Sequence, residues 1–244
     1  MASTSETGHS VNIVNFKLII DRVTGFGSDY DPITEKIKIS NMTSQAEDAV
    51  NLENAYIVSI EAMHLPVHSR EDKFDVMGDL TKRSLNLYKS TNASKRNFKS
   101  AKGLADKITG NNIKVKKLAD GSLDPKSISK SQKSFTKKAE NFKHLIELYR
   151  SDANYDTNIA DLKITNLDSI LTGIDAANSE VAGLITEMDL ARIARNRCLY
   201  LVVTGMIDVS LACKDYVKSL YGARADKTKT VTGIALRRFL RINY

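Results

Sequence analysis

The sequence predicts an all-α protein: an antiparallel helical bundle built from two tandem copies of one helical unit, related by pseudo-two-fold symmetry. Three observations lead there. Among 244 residues there are only 3 prolines and 12 glycines, so chain breakers are scarce. Apolar residues recur at three- and four-residue spacing over long stretches, while the alternation expected of strands is rare. The string "YDPITEKIKISNM" at 30–42 also returns as "YDTNIADLKITNL" at 155–167.

The repeat runs well past that string. Tyr30 matches Tyr155, Asp31 matches Asp156, Lys38 matches Lys163, Ile39 matches Ile164 and Asn41 matches Asn166. Upstream, "NFKLIIDRV" from Asn15 answers "NFKHLIELY" from Asn141, with one residue of slack in the loop before the tyrosine. Downstream, "MHLPVHSRE" from Met63 lies opposite "MDLARIARN" from Met188, which sets Arg70 against Arg195. "VMGDL" at Val76 faces "VTGMI" at Val203, and "KSAKGL" at Lys99 faces "KTVTGI" at Lys229. With only two copies, this is a duplicated half rather than a solenoid. The expected organisation is repeat 1 over 11–105, a basic linker over 106–136, repeat 2 over 137–235 and a basic tail over 236–244.

Each copy reads as helices. "VNIVNFKLIIDRV" places Ile13, Phe16, Ile19 or Ile20 and Val23 on one face. "TGFGSDYD" is a turn, after which Asp31 is expected to cap a helix that has Pro32 at its first position. In the second copy, Asp156, Thr157 or Asn158 would cap in the same place. The tyrosine ring would fill the corner between the two helices. A long stripe then follows in both copies, through Ile37, Met42, Ala46, Ala49 and Leu52 in the first, and Leu162, Leu167, Ile170, Ile174 and Val181 in the second. Pro66 marks an expected helix boundary, with another helix running to about Tyr88; its counterpart runs from about Leu190 to Leu220 and ends at Gly222.

The most apolar run, "CLYLVVTGMIDVSLAC" at 198–213, is too short for a membrane span and is interrupted by Asp208, so it is expected to be one central buried helix. On such a helix Cys198 and Cys213 would stand roughly 22 Å apart at about 1.5 Å per residue, beyond disulfide reach. Two cysteines without metal-like spacing suggest buried thiols in a reducing compartment, the cytoplasm by default. The first residues, "MASTSETGHSVNIVNFK", lack the basic start and apolar stretch of a secretory signal.

The net charge of +7 is concentrated. Nine basic residues against Asp106 fall between Lys89 and Lys117, which leaves the rest of the chain close to neutral. A second cluster occupies 224–241. Lys95, Arg96, Lys99, Lys102, Lys229, Arg237 and Arg238 are the candidate contacts of these segments with nucleic acid or another anionic surface. Phe98 among the lysines can in principle stack on a base, but no helix-turn-helix, zinc-finger or RNA-recognition signature accompanies it. Within the linker, "IKVKKL" reads as a short strand and "DGSLDP" as a turn.

Catalytic signals are few. His64 and His68 have the spacing of two ligands on one helix face, but Pro66 between them argues against a regular helix, and neither recurs in the second copy. No phosphate-binding glycine loop, no Ser–His–Asp grouping and no di-iron spacing occurs. Asp208 on an apolar helix is expected to face Arg192, Arg195 or Arg197. No catalytic residue, cofactor or metal is therefore assigned.

The run "SKSQKSFTKKAENFKHLIELYRSDANYDTNIADLKITNLDSIL", followed by "ARIARNRCLY" and "TGMIDVSLACKDYVKSLYGA", resembles a family of uncharacterised helical proteins found in Bacteroidota. The shared pattern is an "NF..LI" helix, a tyrosine turn, a "DLK..SL" helix and an "ARN..LY" segment. The resemblance covers most of the second copy and, more weakly, the first. It implies a helical bundle and a bacterial origin, and carries over no activity. The expected function is that of a non-catalytic structural or interaction protein that binds protein partners or assembles with itself; nucleic-acid binding through 89–117 and 224–241 is the alternative.

Overall fold

Helices dominate the structure, a computed structural model that describes residues 8–110, 134–240 and 242. Seven α-helices follow in order: α1 His9–Thr24, α2 Ile39–Ser90, α3 Lys95–Thr109, α4 Phe135–Ser151, α5 Ile164–Tyr200, α6 Met206–Tyr221 and α7 Asp226–Thr232. No strand is formed among the described residues; a single parallel bridge joins Leu201 to Ile242. The segments "IKVKKL" and "DGSLDP" lie outside the described residues.

Local chemistry accounts for three of the helix ends. Ser94 and Ser134 cap α3 and α4, their hydroxyls accepting from the backbone N–H groups of Asn97 and Lys137. Gly222 ends α6 with φ 83°, a left-handed conformation that suits a residue without Cβ.

Two compact units are formed. One takes residues up to Ala62 together with those from Leu184 onward; the other is Met63–Gly183. Each therefore draws helices from both halves of the sequence. The first packs Phe16, Ile19 and Val23 of α1 and Met42, Ala46 and Ala49 of α2 with Leu199 and Tyr200 of α5, Cys213 and Val217 of α6, and Val231 of α7. The second packs Met77, Leu80 and Tyr88 of α2 and Ile108 of α3 with Phe142, Leu145, Ile146 and Tyr149 of α4, and Leu167 and Ile174 of α5. Fully burying a side chain such as Phe16 or Leu145 contributes about 1.5–3 kcal/mol.

Several boundaries differ from the sequence reading. Pro66 sits inside α2, which continues through it to Ser90. Its ring removes the bond to the carbonyl of Ala62, and Ala62 is exposed, so water can take that carbonyl. Asp31 and Asp156 cap no α-helix: short 3-10 turns at Glu35–Ile37 and Ala160–Leu162 intervene, and the long helices begin at Ile39 and Ile164. The apolar run 198–213 is broken at 201–205, so Cys198 lies on α5 and Cys213 on α6, both as free thiols. α3 extends into the expected linker as far as Thr109, and α4 begins within it at Phe135.

The break at 201–205 has a physical account. A Cβ on Gly205 would lie 2.5 Å from Leu201 N and 2.6 Å from Leu201 O, so only glycine fits this close chain reversal. Val203 within it has φ 76° and is the one non-glycine residue with positive φ among those described. The Asp208 carboxylate holds it there, accepting the Val203 N–H at 2.7 Å. Alongside, Val202 N–H donates to Ile242 O at 2.9 Å.

Candidate functional site

Two tyrosine turns, one polar cluster and one basic helix face hold the groups most able to do chemistry or binding. In the first turn the Tyr30 ring is buried at the corner and its hydroxyl donates to the carbonyl of Ile37 at 2.8 Å. In the second, the Tyr155 hydroxyl donates to the carbonyl of Leu162, also at 2.8 Å. The Asn41 side chain donates to Glu35 O at 2.7 Å, and that of Asn166 to Asp161 O at 2.8 Å. Lys38 has φ −63° and ψ 140°; Lys163 has φ −63° and ψ 143°. The ring fills the corner as expected and its hydroxyl spans the turn; in the second turn Asp156 also accepts the Thr157 N–H at 2.8 Å, without capping an α-helix.

What surrounds the two rings differs. Tyr30 meets Tyr216 edge-on at 5.3 Å, and Cys213 Sγ lies 3.3 Å from its oxygen. Burial, then that thiol, pushes the Tyr30 hydroxyl well above its ordinary pKa. Tyr155 instead stacks on Tyr149 with ring centres 4.2 Å apart, and Tyr88 closes the group edge-on to Tyr149 at 5.1 Å. The Tyr88 hydroxyl donates to Asp152, which also accepts from the Asn97 side chain at 2.9 Å and from the Asn154 backbone at 3.0 Å. These donors, Tyr88 foremost, hold the Asp152 carboxyl well below the usual carboxylate range, while burial and then the bond to Asp152 push the Tyr88 hydroxyl up to about 12.

The polar cluster lies in the unit that holds Leu184 onward. Arg195 of α5 pairs with Glu53 of α2 at 3.3 Å, with only 6% and 14% of their side chains exposed. The guanidinium also donates to Asn196 Oδ1 at 3.1 and 2.9 Å and lies 4.2 Å from the centre of the Tyr56 ring. Ser10 donates to the other oxygen of Glu53 at 3.0 Å. At the start of α1, His9 Nδ1 is 2.7 Å from the hydroxyl of Tyr200, which also accepts from Asn12 at 3.2 Å. Burial, then the charge of Arg195, lowers the His9 pKa against a smaller opposing pull from Glu53.

The chain's last described segment closes over this cluster. Asn12 brackets Arg237, accepting its backbone N–H at 2.8 Å and donating to its carbonyl at 2.7 Å. The Phe239 ring meets His9 edge-on at 5.4 Å. Arg238 pairs with Asp208 and donates to Tyr200 O at 3.0 Å. Asp208 therefore takes its cation from 30 residues downstream rather than from Arg192, Arg195 or Arg197.

The basic residues separate into two kinds. Lys95, Arg96, Lys99 and Lys102 stand exposed on α3, opposite buried Ala101, Ala105 and Ile108, and none is in an ion pair among the described residues. Phe98 is partly buried and packs against the core of its unit. Lys229 pairs with Asp226 at 2.9 Å, and Arg238 is committed to Asp208. His64 and His68 lie on α2, where His68 faces Glu71 at 3.5 Å. No group of three or more metal-capable side chains is present among the described residues, and no helix there is long and apolar enough to cross a membrane.

The His9–Tyr200 and Glu53–Arg195 groupings escaped the sequence reading, since they join positions 191 and 142 residues apart. The one available signal was the alignment of Arg195 with Arg70 between the two similar stretches of sequence. On the surface, α2 exposes Ile57 and Val58, and α5 exposes Ile185, Leu190 and Ile193, each by 42–66%.

Comparison with protein-family models finds no match, and no curated protein or solved structure matches the chain.

Proposed function

We propose that this chain is a non-catalytic interaction protein, a helical unit duplicated in tandem, whose outer faces bind protein partners or further copies of itself. The observation that carries the reading is how the chemically capable side chains are used. His9, Glu53, Arg195, Tyr200 and Asp208 spend their hydrogen bonds within the chain, on one another, on the side chains of Ser10, Asn12, Asn196 and Arg238 and on the Val203 backbone, while large aliphatic groups such as Val58 and Leu190 stand in solvent. Duplication is supported by the unbroken 125-residue offset from Tyr30/Tyr155 to Arg70/Arg195 and by the matching turn geometry. Two free cysteines, with burial pushing the Cys198 thiol up to about 11, favour a reducing compartment such as the cytoplasm.

Light scattering after size exclusion tests this. The expected result is a mass above one chain, or co-elution with a partner, that Val58→Asp with Leu190→Asp abolishes while helicity is kept. A protein that stays monomeric across concentration and retains no partner overturns it.

The cations of α3, which are in no ion pair among the described residues, favour nucleic-acid binding as the second reading. It predicts an affinity that falls steeply with salt and is lost when Lys95, Arg96, Lys99 and Lys102 become glutamate. No mobility shift with DNA or RNA at low salt removes it.

A further inference from the structure

The unit formed by Met63–Gly183 contains two buried polar atoms without a partner among the described residues: Arg70 Nε and Asn178 Oδ1. Buried polar groups are nearly always hydrogen-bonded, so two orphans in one unit need a reason. The numbering supplies one. The offset of 125 that relates Tyr30 to Tyr155 and Arg70 to Arg195 also relates Glu53 to Asn178 and Glu71 to Asn196. In the other unit, Arg195 is fully engaged, Glu53 taking one amino group and Asn196 taking Nε and the other. By the same offset, the position that answers Glu53 holds an amide, Asn178, rather than a carboxylate. Glu71, next to Arg70, is turned toward His68 at 3.5 Å, with 53% of its side chain in solvent.

The guanidinium is nonetheless held in place. It lies 4.0 Å from the centre of the Phe135 ring, and Phe135 in turn packs edge-on against Phe74 at 4.7 Å. A guanidinium stacked flat on a ring keeps its N–H edge free for a planar acceptor, and a carboxylate fits that edge in a bidentate fashion. An Asn amide can present either its oxygen or its NH2 group, since a half-turn exchanges them. With the NH2 turned inward, Asn178 donates to the same acceptor.

We propose that Arg70, stacked on Phe135 and opposed by Asn178, is a binding site for a carboxylate supplied from outside the chain, by a small carboxylic acid or by an acidic side chain or C-terminus of a bound peptide. Arg70 Nε–H and one terminal N–H hold its two oxygens, and the Asn178 amide adds a third donor. The pairing of Arg70 with Asn178 rests on the duplication reading; the occupancy of the site does not follow from it, so the two are tested separately.

The test uses the full chain, 15N-labelled, with sodium benzoate as probe at constant ionic strength, and then a short peptide ending in glutamate. A saturable shift of the Arg70 Nε–H resonance is expected, together with a rise in unfolding midpoint, both lost in Arg70→Gln. Asn178→Glu builds the carboxylate into the chain. It is expected to raise the midpoint in wild type but not in Arg70→Gln, and to abolish the response to benzoate. Benzoate without peptide response assigns the site to a small acid, and the reverse assigns it to a peptide. If Asn178→Glu couples to Arg70 but neither probe shifts the resonance, the site is overturned while duplication stands. If the two substitutions are simply additive, both the site and the correspondence behind it are overturned. An equal response to chloride or inorganic phosphate overturns the assignment to carboxylates.

Discussion

Arg195 reaches Glu53 at 3.3 Å across 142 residues of sequence, and the two charges are almost wholly withdrawn from water. Such a pair owes little of its worth to attraction alone. Its importance lies in what remains when one member is removed: a buried charge with no counter-ion.

Glu53→Ala is accordingly expected to destabilise its unit by about 3–5 kcal/mol. Glu35→Ala, whose pair with Lys38 is open to solvent, should leave the midpoint nearly unchanged. Urea unfolding of both variants checks the contrast, and equal midpoints would mean the buried pair is idle.

The two tyrosine turns make a paired prediction. Tyr30→Phe and Tyr155→Phe each remove one hydroxyl bond to a carbonyl at 2.8 Å and keep the ring. Each should cost about 0.5–1.5 kcal/mol. Hydrogen exchange should show the Tyr30→Phe loss in the unit holding α1 and the Tyr155→Phe loss in the unit holding α4.

His9 gives the pH dependence. Its folded-state pKa lies below the ordinary 6.5, chiefly through burial, so the unfolded chain binds the proton more readily. Stability from this group is therefore fully present above about pH 6.5 and is lost as pH falls through the lower folded value. His9→Phe should flatten that part of the profile. Thermal melts between pH 7.5 and 5 decide it, and an unchanged slope would exclude His9 as the cause.

Val203 is strained. A β-branched residue at φ 76° costs about 1–2 kcal/mol, partly offset in a glycine variant by added chain entropy. Val203→Gly is expected to stabilise by about 0.5–1 kcal/mol. A lower melting temperature for Val203→Gly would show instead that the valine side chain contributes packing that outweighs the strain.

Much of this could be read in the chain itself. The face of α1, the stop at Gly222 and the buried turn tyrosines were legible because each depends on neighbours within a turn or two. Helix periodicity, a left-handed glycine and an aromatic beside a turn are local matters. Tertiary structure decided the rest. Pro66 looks like a boundary to any local rule, yet α2 passes through it, since an exposed carbonyl tolerates the lost bond and packing on either side holds the helix. The run 198–213 looks continuous, yet Gly205 allows a close reversal that Asp208 and the Ile242 backbone then secure. Glu53 with Arg195, and Asp208 with Arg238, are ordinary charges in the sequence. They become partners, the first pair buried and the second half-buried, only once segments from both ends of the chain share one core, because desolvation, which makes a charge choose its neighbour, arises from packing and has no signature in residue order.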